Sequence, residues 1–338
     1  MTVPSGKVLL KRRLVRTLPL LFLLALVATF ISLELGYRVI SPRDFWLDPD
    51  ARAVFWQLRL PRVLLGGIVG ASLSVVGAAL QALFRNPLAE PFTLGVSGGA
   101  SLGASVAITI GLGASVAGLP AVFLFAFAGA GLSMAAVYYL ASARGIVIPG
   151  ALLLSGVVLN LCATAGVLLL QFLSDYSRAM QILRWMIGSL DVIGFGLVWR
   201  MLAFLLPGWL ILFSHARDLN LLAVGDESAA VLGVDVRKVE KHIYIASSLI
   251  VGVSAAAGGS IGFVGLIVPH TARLLFGQDI RLLVPASFLL GAAFLMIADA
   301  LARTLFSPSE LPVGILTALM GGPFFLWLMH RERRIAAF

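Results

Sequence analysis

The chain has 338 residues, of which 60% are apolar and 12% charged, and its formal net charge is +9. A soluble domain is about 25% charged and about 45–50% apolar, so too few polar side chains remain here to cover a water-facing surface. This excludes an ordinary soluble enzyme, a disordered chain and a nucleic-acid-binding module. The single cysteine, Cys162, excludes an intrachain disulfide framework or a cysteine-cluster metal site. At roughly 20 residues per crossing, the apolar content suffices for about ten membrane helices.

Lys7, Lys11, Arg12, Arg13 and Arg16 precede an apolar run over 14–33. That run is longer than a signal-peptide core and no small-residue cleavage site follows, so it reads as an uncleaved first span entering from the cytoplasm. Further spans are predicted at about 62–82, 93–111, 118–140, 150–172, 194–214, 241–257, 260–276, 282–303 and 312–330. Only Gly258 and Gly259 separate the pair at 241–257 and 260–276. An even count puts both termini in the cytoplasm, where Arg331, Arg333 and Arg334 join the basic start. This topology places 16 of the 25 Lys and Arg residues inside and 9 outside, the bias expected of inner loops. Five of the outer nine, Arg38, Arg43, Arg52, Arg59 and Arg62, crowd one segment, an excess that suggests a task. The small-residue strings, such as Gly95 to Gly103 and Gly252 to Gly265, read as close helix packing.

The chemistry present is sparse. No phosphate-binding G-x-x-x-x-G-K-[ST] loop occurs, and His215, His242, His270 and His330 show no metal-ligand spacing. No catalytic residue and no metal site are read on this chain. Asp299 is the only acidic residue inside a predicted span, and it lies near the outer end. An ion-coupled secondary carrier or channel, the alternative reading, keeps carboxylates near the midplane, so the energy is expected from a partner. The longest polar stretch, 215–241, reads as two short helices. Asp226 and Glu227 suit a helix start and Gly233 suits its end. Ala229, Val231 and Leu232 have no span to bury against, which points to a protein surface that covers them. Pro269 predicts a kink within its span, and His270 beside it reads as a packed core residue.

Six ordered stretches carry a family resemblance: Leu58-Arg59-Leu60-Pro61-Arg62; the run from Gln81 to Pro91 leading into Leu94 to Ala100; Gly225-Asp226-Glu227; Gly262 to His270; Ala298 to Arg303; and Glu310 to Gly314. Over nearly its whole length, Leu58 to Leu328, the chain resembles the membrane permease of type II ABC importers, the family that carries ferric siderophores, haem and vitamin B12. The resemblance implies an all-α integral membrane protein, one permease domain of about ten transmembrane helices, multi-pass in the bacterial inner membrane. It implies a homodimer with the path along its two-fold axis and a metal chelate as cargo. Two P-loop ATPase subunits would hold the ATP and Mg, with no cofactor on this chain, and a periplasmic binding protein would deliver the cargo. By the same resemblance Arg59, Arg62 and Arg303 would dock acidic residues of that binding protein, a task for which arginine suits carboxylates better than lysine. Gly225, Asp226, Glu227, Ala229, Leu232 and Gly233 would form the ATPase-coupling element. Span five resembles the path-lining helix; Ser155, Asn160 and Thr164 fall roughly on one face of it, open to pore lining or to helix–helix hydrogen bonding.

Overall fold

A computed structural model describes residues 6–36, 42–116, 118–143, 146–147, 149–307 and 309–336. Arg38 and Arg144 lie outside them, as do the side chains of Lys7, Lys11, Arg12, Arg43, Arg331, Arg333 and Arg334. In chain order the helices are α1 (Gly6–Glu34), α2 (Pro42–Leu47), α3 (Pro49–Val54), α4 (Leu60–Leu83), α5 (Val96–Ile110), α6 (Ala121–Ala141), α7 (Pro149–Leu173), α8 (Tyr176–Ile187), α9 (Gly196–Ser214), α10 (Ala216–Leu222), α11 (Asp226–Val231), α12 (Val236–Gly258), α13 (Val264–Phe276), α14 (Ile280–Thr304) and α15 (Val313–Ala336). A π-helical turn, Phe55–Arg59, joins α3 to α4 without a break. The strands are two short antiparallel hairpins at 115–120 and 142–147.

Each of the ten predicted apolar stretches is a helix: α1, α4, α5, α6, α7, α9 and α12 to α15. Among the described residues six helical stretches are long and apolar enough to cross a bilayer, and α5, α13 and the apolar part of α15 are shorter. The 15 residues of α5 rise about 22 Å, less than the roughly 30 Å hydrocarbon core. Irregular backbone at that depth must be covered by protein. The segment before α5 meets this demand, with Ala89 and Leu94 buried. The stretch from 236 to 276 is two helices, broken where Gly259 takes a φ of +69°. A side chain there would run into the carbonyl oxygen of Trp185.

The centre of the bundle is α4, packed on α14, α13, α12 and α9. Its Gly70 meets Gly291 of α14 and its Gly77 meets Gly265 of α13, each so close that a methyl group would strike the opposing backbone. Lipid supplies no hydrophobic drive between helices, so such close approach is what holds them. Where α9 meets α4, Trp209 donates from Nε1 to Ser72 Oγ at 3.2 Å. The amphipathic α8 was not among the predicted elements. It carries Arg178 and Arg184, buries only Ile182, and is capped by Asp175, whose carboxylate accepts from the Arg178 backbone N–H.

Candidate functional site

At one end of the bundle, where α4 begins and α14 ends, Arg59, Arg62 and Arg303 line one cleft of about 540 Å³ together with Asp191 and Glu310. Asp299, one turn before Arg303 on α14 and 1% exposed, sits between two of the guanidiniums. Arg62 donates to it from Nε at 3.2 Å and from Nη2 at 3.1 Å, and Arg303 Nε lies 3.0 Å from its Oδ2. Arg303 also donates to the carbonyls of Ser32 and Leu35, and Arg59 donates to that of Leu33. Those oxygens belong to the last turn of α1 and the residue after it, where backbone carbonyls lack helical partners and a cation complements the dipole. Two of the three arginines therefore tie α1 to the bundle. Arg62 turns a nitrogen to the cleft: its Nη1 is 2.7 Å from Glu310 Oε2 and 3.1 Å from Asp191 Oδ1.

Two further outer arginines close loops. Arg178 Nη1 donates to the Thr109 carbonyl at 2.7 Å and Arg200 to that of Gly118. Asp191 and Glu310 escaped the sequence reading as members of this cluster. Glu310 stands in a motif, but Asp191 meets Arg62 across 129 positions and carries no local signal. Asp299 did carry one, the four-residue step to Arg303.

At the opposite end α10 and α11 form the two short helices predicted within 215–241. Gly225 precedes α11 with a φ of +149° and Gly233 follows it with a φ of +86°. Asp226 pairs with Arg85, just beyond the end of α4. Burial and the charge of Asp226 push the Glu240 carboxyl above its ordinary range, partly offset by Arg85 and Arg237. The expectation that Ala229 is left for a partner is corrected: it is fully buried, because α11 packs on α10 and α12. Val224, Val231 and Leu232 remain 77%, 87% and 65% exposed, with Glu227 exposed beside them.

On α7, Asn160 and Thr164 line a small cleft with Phe92, Val157 and Leu161. Ser155 is half-buried and lies elsewhere on the helix. The shared face expected for all three fails because five residues advance a helix by about 500°, some 140° past a whole turn. The Asn160 amide oxygen is buried against Gly98. Nearby, the broken junction of α12 and α13 is tied to the segment entering α5. Glu90 accepts from the Phe263 backbone N–H, and Ser97 Oγ lies 2.8 Å from Ser260 Oγ. Glu90, which in sequence stands only within the run from Gln81 to Pro91, thus makes a contact across 173 positions. His270 is buried against the Phe324 ring. The structure also brings together two histidines that sequence spacing kept apart: His215 Nε2 is 3.1 Å from His242 Nδ1, with Asp218 on the other His215 nitrogen. Among the described residues no three His, Cys, Asp or Glu groups are placed to hold a metal.

The FecCD transport family model matches residues 23–331. The hemin transport permease HmuU of Yersinia pestis is 40% identical over 93% of this chain and 95% of its own. The vitamin B12 permease BtuC of Salmonella typhi is 40% identical over 96% and 98%. Among solved structures, an inward-facing metal-chelate type ABC transporter superposes with a TM-score of 0.81 at 33% identity, covering 93% of this chain and 98% of that one. The chain belongs to the FecCD transport family and is a multi-pass membrane permease of the ABC transporter type.

Proposed function

We propose that this permease imports a metal chelate, a ferric siderophore, haem or a corrinoid, from periplasm to cytoplasm as a homodimer, with both termini cytoplasmic. Two ATPase subunits engage α11 and its exposed Val231 and Leu232, and they alone hold ATP and Mg. A periplasmic binding protein seats at the opposite end, over the cleft of Arg59, Arg62 and Arg303. The observation that carries this reading is the pairing of two unlike surfaces at the two ends of α4: a charged cleft at one, and a short helix with uncovered aliphatics at the other. Within the trio Arg62 is the direct contact, because Arg59 and Arg303 are spent on α1 carbonyls and act by holding the rim. Asn160 and Thr164 face the path, where a large cargo needs weak, distributed contacts. The position of Asp299, locked between two guanidiniums, favours this reading over an ion-coupled carrier, since α14 holds no other carboxylate.

The test is uptake of labelled ferric siderophore, haem and cobalamin in a strain lacking the permease and then supplied with it. Restored uptake of one class, lost again with Arg62→Glu while the protein still assembles, supports the reading. Unimpaired uptake by Arg62→Glu removes the docking role, and uptake that persists without the ATPase subunit overturns the importer assignment.

A further inference from the structure

Away from both ends of α4, a groove of about 260 Å³ opens between α6 and α12, lined among others by Gly131, Ala135 and Tyr138 of the first and by Lys241, Ile245 and Ser248 of the second. Lys238, Lys241, Ile245 and Ser248 are spaced by three, four and three residues, so they form one stripe along α12. The stripe begins with two exposed ammonium groups and continues as a nearly apolar wall. The floor is low because α6 places small residues there. A Cβ built on Gly131 would meet nothing within 4 Å. Two tyrosines line the groove with Lys241, Tyr138 in the last turns of α6 and Tyr244 on α12, and Tyr139 follows Tyr138 on α6. The Tyr244 hydroxyl donates to the Met134 carbonyl at 2.9 Å, and Tyr139 is 81% exposed. An exposed tyrosine such as Tyr139 suits the headgroup level of a bilayer, which sets the lysines among the phosphates and the small-residue floor among the acyl chains.

We propose that this groove is a binding site for an anionic phospholipid, its headgroup phosphate on Lys241 with Lys238 beside it and one acyl chain along Gly131 and Ala135. Charge decides the headgroup. Among the described residues no carboxylate pairs with Lys241, whereas Arg237 on the neighbouring face already interacts with Glu240. The apolar wall decides for a lipid over free phosphate, because a soluble anion gains nothing from Ile245 or the open floor. The reading requires only that α6 and α12 lie in the bilayer, not that the transported substrate be known.

The experiment is native mass spectrometry of the full-length permease in detergent with equimolar phosphatidylglycerol and phosphatidylcholine. The wild type is expected to retain phosphatidylglycerol in preference by roughly five-fold per engaged lysine. Lys241→Gln should move that ratio towards one, and Gly131→Leu should lower retention of both lipids. Arg217→Gln, an exposed cation outside the groove, should leave the ratio unchanged, and excess inorganic phosphate should displace nothing. Equal retention of the two lipids by the wild type overturns the proposal, as does a ratio unaffected by Lys238→Gln with Lys241→Gln. So does a Gly131→Leu protein that keeps its lipids but loses its dimer, which would make the groove a contact between copies.

Discussion

Asp299→Asn tests the charged cluster most directly. The native carboxylate, 1% exposed, neutralises two guanidiniums that are themselves nearly buried, with Arg62 12% and Arg303 6% exposed at the side chain. Asparagine keeps the shape and one acceptor oxygen but removes the charge, leaving two like cations facing each other in a poorly solvated site. Breaking a buried pair in this way costs about 3–5 kcal/mol. The outer carboxylates cannot make up the loss, because Glu310 and Asp191 reach only Nη1 of Arg62 and are 49% and 75% exposed. The assay is the rate of irreversible thermal inactivation in detergent, with Asp191→Asn as the exposed control at 0–1 kcal/mol. The expected result is a large acceleration for Asp299→Asn and almost none for Asp191→Asn. Equal stability of Asp299→Asn and wild type would refute the account, since Arg303 would then be held by the α1 carbonyls alone and Arg62 by the exposed Glu310 and Asp191.

Removing the competing carboxylates with Asp191→Asn and Glu310→Gln frees Arg62 Nη1, and is expected to tighten binding of an acidic partner at that cleft several-fold, as read by a binding titration against the periplasmic binding protein. Gly77→Leu places a branched side chain against the Gly265 carbonyl and should cost about 1–3 kcal/mol or more by overpacking, visible as lower yield of folded protein. Asp226→Arg opposes Arg85 with a like charge. It should leave stability within about 1 kcal/mol while lowering transport per ATP hydrolysed in reconstituted vesicles. Asp279 caps α14 and its carboxylate is held below the ordinary value of 3.8 chiefly by hydrogen bonds from Arg281. Its stabilisation is therefore complete above that value and disappears as pH falls through the lowered one. Asp279→Ala should cost about 1 kcal/mol at neutral pH and remove that part of the acid sensitivity in a thermal-shift series.

The helices were legible because lipid imposes a simple demand, an apolar run of sufficient length, and each predicted run became a helix. The same rule hid what does not span. The α8 helix is short and carries two arginines, and the helical extension from Pro49 to Arg59 mixes charged and aromatic residues. Local chemistry was also readable at Gly225 and Gly233, whose positive φ angles bracket α11 as their positions suggested. Ala229 was misjudged because an alanine between two aliphatics looks the same whether it faces solvent or a neighbouring helix. The partners of Arg62 were out of reach for a different reason. Asp191 and Glu310 come from loops 129 and 248 positions away, and only tertiary packing brings them to one nitrogen. The two histidines at 215 and 242 met for the same cause, 27 positions apart with α10 and α11 between them.

One helix in the bundle is held at both extremities by charge. Arg62 near the start of α4 is locked to α14 through Asp299, while beyond its other end Arg85 holds Asp226 and, within the last turn, Gln81 donates to the Gly265 carbonyl and accepts from Arg273. Between these anchors run 24 residues, about 36 Å of helix, wedged against α13 and α14 by glycines too tight to yield. A rod clamped in this way cannot absorb a push by bending or stretching. A load applied to one of its ends reaches the other as tilt or translation of the whole, and the two faces of the membrane are in mechanical contact through a single stiff element.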